Sequence, residues 1–282
     1  MQREQDLVGR WNHSAMAWET HREVIRQMFA PMTHALVEEA RVGSRQTVLD
    51  IGTGPGEPAL SLTKLVGPEG SVFGIDPSPE MLAAARRAAD RLGLKNVQFE
   101  VAFADRLPFP TDTFDAAVSR LGAMFFPSPV DSVREILRVL KPGGKLALAV
   151  WHFGDRNPFH HVLSRVIDRY AAPLPPEPDA LDAFRFAPAG KLREVLSQAG
   201  VMTLGERLLR FTIHAPIPVE EFWTLRLGMS EKLRDKLATL PPELAAQAQR
   251  EVLAALGEYS TGGGLIFPAE VLIVSGAKPL SA

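Results

Sequence analysis

The residues that could do chemistry begin with an acid and three glycines. An apolar run, Val48-Leu49-Asp50-Ile51, leads straight into Gly52-Thr53-Gly54-Pro55-Gly56. Without a Cβ, glycine lets the backbone turn tightly after a strand and lets a ligand come close to it. Twenty residues after Gly56 stands Asp76, at the end of a second strand-like run, Ser71-Val72-Phe73-Gly74-Ile75. An acid there can accept hydrogen bonds from both hydroxyls of a ribose. The pair predicts a small ligand that contains a nucleoside. The alternative for the loop is a tight strand–helix turn with no ligand, and for Asp76 an acid favoured by the positive end of a helix.

Gly54-Pro55-Gly56-Glu57-Pro58-Ala59 fits the G-x-G-x-x-A pattern of dinucleotide-binding loops, but so short a pattern arises often by chance. Asp50 weighs against it, because a carboxylate just before the first glycine would repel a pyrophosphate. The same carboxylate suits an ammonium group. S-adenosylmethionine offers an ammonium, a ribose and an adenine, and no phosphate.

These residues need a scaffold, and the pattern from about 45 to 151 supplies one. Strands are expected at 46–51, 71–75, 97–101, 114–119 and 145–151, with helices over 57–66, 80–92 and from Ser128-Pro129 onward. Gly67-Pro68 stops the first helix, and Ser78-Pro79 caps the second. Lys141-Pro142-Gly143-Gly144 is expected to break the third and turn the chain into the fifth strand. Strands alternating with helices mean βαβ units and a mostly parallel sheet. Residues 1–44 read as a helical cover carrying Trp11, Trp18 and Phe29. Residues 45–282 read as one α/β domain with insertions at about 155–190 and 219–258 that cover the ligand edge of the sheet. The first insertion is proline-rich, notably Pro173-Leu174-Pro175-Pro176-Glu177-Pro178, and reads as loop with short helices. A helix over 191–198 and strands at 208–213 and 265–274 complete the chain.

Composition narrows the partners. Among 282 residues, 31 Lys and Arg face 33 Asp and Glu, for a formal charge of -2, and no basic run offers a surface for nucleic acid. Absence of cysteine excludes disulfides, thiolate metal sites and a cysteine nucleophile. No apolar stretch approaches the roughly 20 residues that span a bilayer, and the charged N-terminus leads into no signal core. The expectation is a cytoplasmic protein with a small-molecule acceptor, no nucleic acid, no membrane insertion and no metal.

In its ordered motifs the chain resembles the class I S-adenosylmethionine-dependent methyltransferases, within them the group of quinone-pathway and small-metabolite enzymes. The motifs are the glycine loop, Gly74-Ile75-Asp76, Ala104-Asp105 before Leu107-Pro108-Phe109, Thr113-Phe114-Asp115, and Leu140-Lys141-Pro142-Gly143-Gly144-Lys145-Leu146. The resemblance is close over 45–151 and loose outside it. It implies a Rossmann-like, seven-stranded, mostly parallel sheet with helices on both faces and one antiparallel strand near the C-terminus. It implies that Gly52, Gly54 and Gly56 pass under the methionine part, with Asp50 facing its ammonium. Asp76 would grip the ribose, Asp105 would accept from the adenine amino group beside the Ala104 backbone, and Met81 would pack on the adenine. Arg120 would stand near the methionine moiety.

Methyl transfer from a sulfonium is an in-line displacement, so a protein mainly aligns the acceptor and excludes water. An O- or N-acceptor can also need a base. His152, directly after the fifth strand, is the favoured candidate; His13, His160 and His161 are others, and proximity without a base is the alternative. The aromatic residues of the insertions, Phe153, Phe159, Phe184, Phe186, Phe222 and Trp223, suit an apolar acceptor or the core of a lid. Two further functions stay open at this stage: a nicotinamide-dependent reductase, and a protein that binds an adenosyl ligand without catalysis.

Overall fold

The computed structural model describes residues 2–171 and 181–280. The chain begins with three helices, α1 (Gln2–Thr20), α2 (Arg22–Met28) and α3 (Ala30–Ala40). Strand and helix then alternate: β1 (Thr47–Ile51), α4 (Ala59–Val66), β2 (Ser71–Asp76), α5 (Pro79–Arg91), β3 (Val97–Val101), β4 (Phe114–Arg120), α6 (Pro129–Val139) and β5 (Leu140–Trp151). The remainder is α7 (Pro158–Ile167), α8 (Lys191–Ala199), β6 (Met202–Ala215), α9 (Val219–Met229), α10 (Glu231–Ala238), α11 (Pro242–Gly257), β7 (Ser260–Thr261) and β8 (Gly264–Ala277).

The strands form one sheet in the order β3-β2-β1-β4-β5-β8-β6. β1 to β5 pair in parallel, and β8 runs antiparallel to both β5 and β6. This is the expected seven-stranded path with one reversed strand; the two-residue β7 is added beside the start of β8. Central strands carry unbroken apolar runs because helices cover both faces of the sheet. Val48, Leu49, Ala116, Ala117, Val118 and Leu146 are all wholly buried. The strand order reverses between β1 and β4, and the crevice outside the carboxyl ends of the strands at such a point is where ligands bind in open α/β sheets.

Three expectations shift. The helix expected from residue 57 begins at Ala59, where the Asp50 carboxylate caps the turn from the strand, its Oδ2 accepting from Ala59 N–H at 2.9 Å. The Lys141–Gly144 run is not a break between helix and strand. It lies within the span of β5, bulging from the ladder: Phe114 pairs with Leu140, and Ala116 pairs next with Lys145. Asp115 holds this bulge to β1, with Oδ1 accepting from Lys141 Nζ at 2.7 Å and Oδ2 from Thr47 N–H at 2.8 Å. Finally, the 155–190 region contains a packed helix, α7, with Phe159, Leu163 and Ile167 buried against the core. Its proline cluster at 173–178 lies outside the described residues.

Candidate functional site

A cavity of about 960 Å³, counted with its open mouth, lies at the carboxyl ends of β1 to β4, within the size range of small-molecule sites. Of the expected site residues, Gly52, Gly54, Asp76, Met81, Ala104 and Arg120 line it. Asp50, Gly56, Asp105 and His152 do not.

The glycine loop and the ribose acid are built as one unit. Asp76 Oδ2 accepts from Gly54 N–H at 3.0 Å, and Oδ1 accepts from Ser78 N–H at 2.9 Å. Each oxygen keeps a second acceptor position. Burial pushes the Asp76 carboxyl up to about 6, against the pull of those two N–H groups. Gly54 has φ +54, and a Cβ built there meets nothing within 4 Å, so its missing side chain is open space at the cavity wall. Gly56 has another task. A Cβ there would sit 2.8 Å from Leu60 Cδ1, so this glycine lets the loop pack against α4.

Asp50 lies behind the loop, wholly buried. Its Oδ2 caps α4. Burial pushes this carboxyl up to about 7, opposed first by the Thr53 hydroxyl and then by Ala59 N–H and the Arg120 charge. Asp105 sits beside the lining residue Ala104, with its own buried Oδ1 unpartnered and Arg106 Nε 3.8 Å away. Arg120 is buried at the opposite wall. It donates to Thr33 Oγ1 at 3.0 Å and to the Glu57 carbonyl at 3.2 Å, with its guanidinium 5.8 Å from the Phe29 ring centre.

Two charged groups on this wall escaped the sequence reading. Glu57, 7% exposed, accepts from Ser61 Oγ through Oε2 at 2.6 Å and holds Oε1 3.7 Å from Arg22 Nη1. Both residues line the cavity. Glu57 directly follows the third glycine, which was the available signal. Arg22, on α2, reaches the site only through the fold. The apolar wall draws on the expected N-terminal cover and on the segment after β4. Leu7, Trp11 and Trp18 from α1, Phe29 after α2, and Phe125 and Phe126 after β4 form it. Trp11 meets Phe125 edge-on at 5.0 Å and Trp18 at 6.3 Å. No described residue of 155–190 or 219–258 lines this cavity. Phe159 and Phe222 instead pack with Phe267 of β8 as core.

His152 is not among the residues that line the cavity. It follows β5, but its Nδ1 lies 3.0 Å from Glu270 Oε2, and Glu270 Oε1 accepts from Arg210 Nε at 3.0 Å. The ring is thus held to β8 and β6 away from the cavity lining. His160 packs against Trp151 with ring centres 4.6 Å apart; burial and the Arg226 charge hold it well below the usual imidazole range, hence neutral. His161 Nδ1 is 3.0 Å from the Gly154 carbonyl, and His13 faces solvent.

The residues present fit S-adenosylmethionine. Buried side-chain polar atoms are seldom left unpaired, yet Asp105 Oδ1 beside Ala104 has no hydrogen-bond partner. Asp76 has free acceptor positions, and no lysine or arginine stands on the glycine loop to receive a phosphate.

A parallel sheet with a glycine loop at its switch point and an acid at the end of β2 defines a Rossmann-like protein for a nucleoside ligand. Residues 48–144 match the family model described as a methyltransferase domain. The chain is similar to a ubiquinone/menaquinone biosynthesis C-methyltransferase of Pseudomonas putida (strain GB-1), with 36% identity over 48% of this chain and 52% of the relative. An uncharacterized methyltransferase, YcgJ of Bacillus subtilis (strain 168), is 36% identical over 44% of this chain and 47% of its own length. The chain thus spans about half the length of these relatives. Among solved structures, that of the Bacillus YcgJ protein superposes with a TM-score of 0.57 at 20% identity, covering 89% of this chain and 99% of the other, a likeness of fold. An S-adenosylmethionine-dependent methyltransferase from Aquifex aeolicus gives 0.50 at 26% identity, covering 65% and 85%.

Proposed function

We propose that this chain transfers a methyl group from S-adenosylmethionine to a small, partly apolar acceptor. One observation carries the reading: a single cavity joins a glycine loop hydrogen-bonded to Asp76 with an aromatic wall of Trp11, Trp18, Phe29 and Phe125. Bound there, S-adenosylmethionine supplies an already activated methyl group. Asp76 holds the ribose hydroxyls, and Asp105 with the Ala104 backbone takes the adenine edge while Met81 packs on its face. Gly52 and Gly54 allow the methionine part to lie against the loop, and Gly56 keeps that loop on α4. Arg120 stands at the methionine end with Arg22 and Glu57, and these charges match an amino acid's carboxylate and ammonium. Asp50 acts through the loop by fixing α4.

The aromatic wall aligns the acceptor and keeps water from the reacting atoms. His152 is no base in this scheme, and Glu57 is the carboxylate at the methionine end to which a proton could pass. The quinone-pathway C-methyltransferase among the relatives supports an apolar, unsaturated acceptor. The Asp50 carboxylate just before the first glycine weighs against a dinucleotide pyrophosphate, and the near-neutral chain supports a small molecule in the cytoplasm as the partner. The test is turnover of labelled methyl from S-adenosylmethionine against a panel of small aromatic and quinol acceptors. Label should move to at least one such acceptor. Tight binding of the adenosyl ligand with no transfer to any of them would favour a non-catalytic binding protein.

A further inference from the structure

Helix α1 lies across the cavity, with Leu7, Trp11 and Trp18 on its wall; besides an Arg10–Glu231 ion pair at 3.6 Å, polar contacts near its start, middle and end tie it to the segments around the site. Near its start Glu4 Oε1 accepts from Arg106 Nη2 at 2.7 Å. Near its end Glu19 Oε2 accepts from Arg87 Nη2 at 2.5 Å, with Arg91 3.6 Å from the other oxygen. Between them Asn12 Oδ1 accepts from Ser78 Oγ at 2.6 Å. Positions 4, 12 and 19 fall on one face of a helix. The outer two fastenings use arginines that are more than half exposed, and such pairs are weak and screened by salt. The middle one ends on Ser78, which is wholly buried, so breaking it leaves a hydroxyl without water to replace the lost partner.

Ser78 is also joined to the ligand site. Its Oγ accepts from Met81 N–H at 3.2 Å and so caps α5, and its own N–H donates to Asp76 Oδ1. The other oxygen of Asp76 holds Gly54. An unbroken line of hydrogen bonds therefore runs from α1, through the cap of α5, to the acid at the end of β2 and on to the glycine loop. Asn12 stands next to Trp11, which lines the cavity against Phe125.

We propose that Asn12 is a positioning residue that, through Ser78, ties closure of α1 over the cavity to the state of Asp76, so that lid closure and nucleoside binding are one coupled equilibrium. The nucleoside's identity rests on the proposed function; the coupling does not. Such coupling is reciprocal: whatever loosens α1 weakens the ligand, and whatever disturbs Asp76 loosens α1.

The test is hydrogen exchange of the α1 amides in the full chain, without ligand, for the wild type, Asn12→Ala, Asp76→Ala and the double variant. One buried hydrogen bond corresponds to roughly a threefold to tenfold change in an opening equilibrium. Asn12→Ala should speed α1 exchange by that factor. Asp76→Ala, which does not touch α1, should speed it comparably. The double variant should add little beyond the larger single effect, because both act on one line of bonds. Asn12→Asp, which keeps an acceptor oxygen, should stay near the wild type. Should Asp76→Ala not fold by circular dichroism, Asp76→Asn replaces it, since it leaves one acceptor for two N–H donors. An Asp76 variant whose α1 exchanges at the wild-type rate overturns the proposal, as do additive effects in the double variant. The same samples are then titrated with S-adenosylhomocysteine. Affinity should fall in Asn12→Ala by a factor similar to the exchange change, and an unchanged affinity contradicts the coupling. A wild type that binds none of it contradicts the cofactor reading, while the ligand-free comparison still decides the coupling.

Discussion

Burial sets the pH range in which the two central acids work. Asp76 is pushed up to about 6 and Asp50 to about 7 from an ordinary 3.8. A ribose hydroxyl donates best to the ionised carboxylate, so affinity for S-adenosylhomocysteine should tighten as pH rises through 6. From the ionised fraction of Asp76 it should be roughly tenfold weaker at pH 5 than at pH 7, which calorimetry at the two pH values reads. Thermal stability is a poorer reporter. Raised acids hold extra protons in the folded state and favour it at low pH, whereas His160, held well below 6.5, favours it at high pH. Gly54→Val should nearly abolish binding with the circular dichroism spectrum unchanged. At φ +54 a β-branched residue is strained, and its methyls would enter the open space at the cavity wall. At this scale the loop and Asp76 were legible because glycine and an acid at strand ends have few other uses. Arg22 and Phe125 were not, since they join the site only when distant loops meet. His152 misled because its place at the end of β5 is right, while Glu270, 118 residues on, decides where the ring turns.

Elements were most legible where one rule dominated. The buried strands of the sheet announce themselves as apolar runs, and Ser78-Pro79 starts α5 as its side-chain cap predicts. Helix α7 was hidden by the prolines around it, although Phe159, Val162, Leu163, Val166 and Ile167 repeat at helical spacing. Its entry is secured by Asn157, wholly buried. Asn157 Nδ2 donates to the Phe153 and Glu270 carbonyls, both at 3.0 Å, and Oδ1 accepts from Glu270 N–H at 2.9 Å. Asn157→Ala would strand these groups in the core. It should cost about 2–4 kcal/mol and lower Tm by roughly 5–10 °C, as calorimetric unfolding would read. A change below about 2 °C would mean that these backbone groups find other partners.

For the molecule as a whole, the N-terminal helices have changed standing. They were expected as a cover beside two insertions. Among the described residues they share the apolar wall of the cavity with Phe125 and Phe126 after β4, while α7, α9 and α11 form core behind β8. No described helix is long and apolar enough to cross a membrane. Removing residues 2–20 should therefore cost ligand affinity and turnover far more than thermal stability, because α3, which packs Met32, Leu36 and Ala40 into the core, stays in place. The central claim is that the cavity is an adenosyl-ligand site gripped by Asp76. Calorimetric titration of S-adenosylhomocysteine into the wild type and Asp76→Ala, with NADH and NADPH as competitors, tests it most directly. Binding to the wild type should be saturable and unaffected by either dinucleotide. In the variant it should weaken by about 1.5–3 kcal/mol, the worth of hydrogen bonds to a charged group. Equal affinity of the two proteins, or displacement by a nicotinamide dinucleotide, would contradict it.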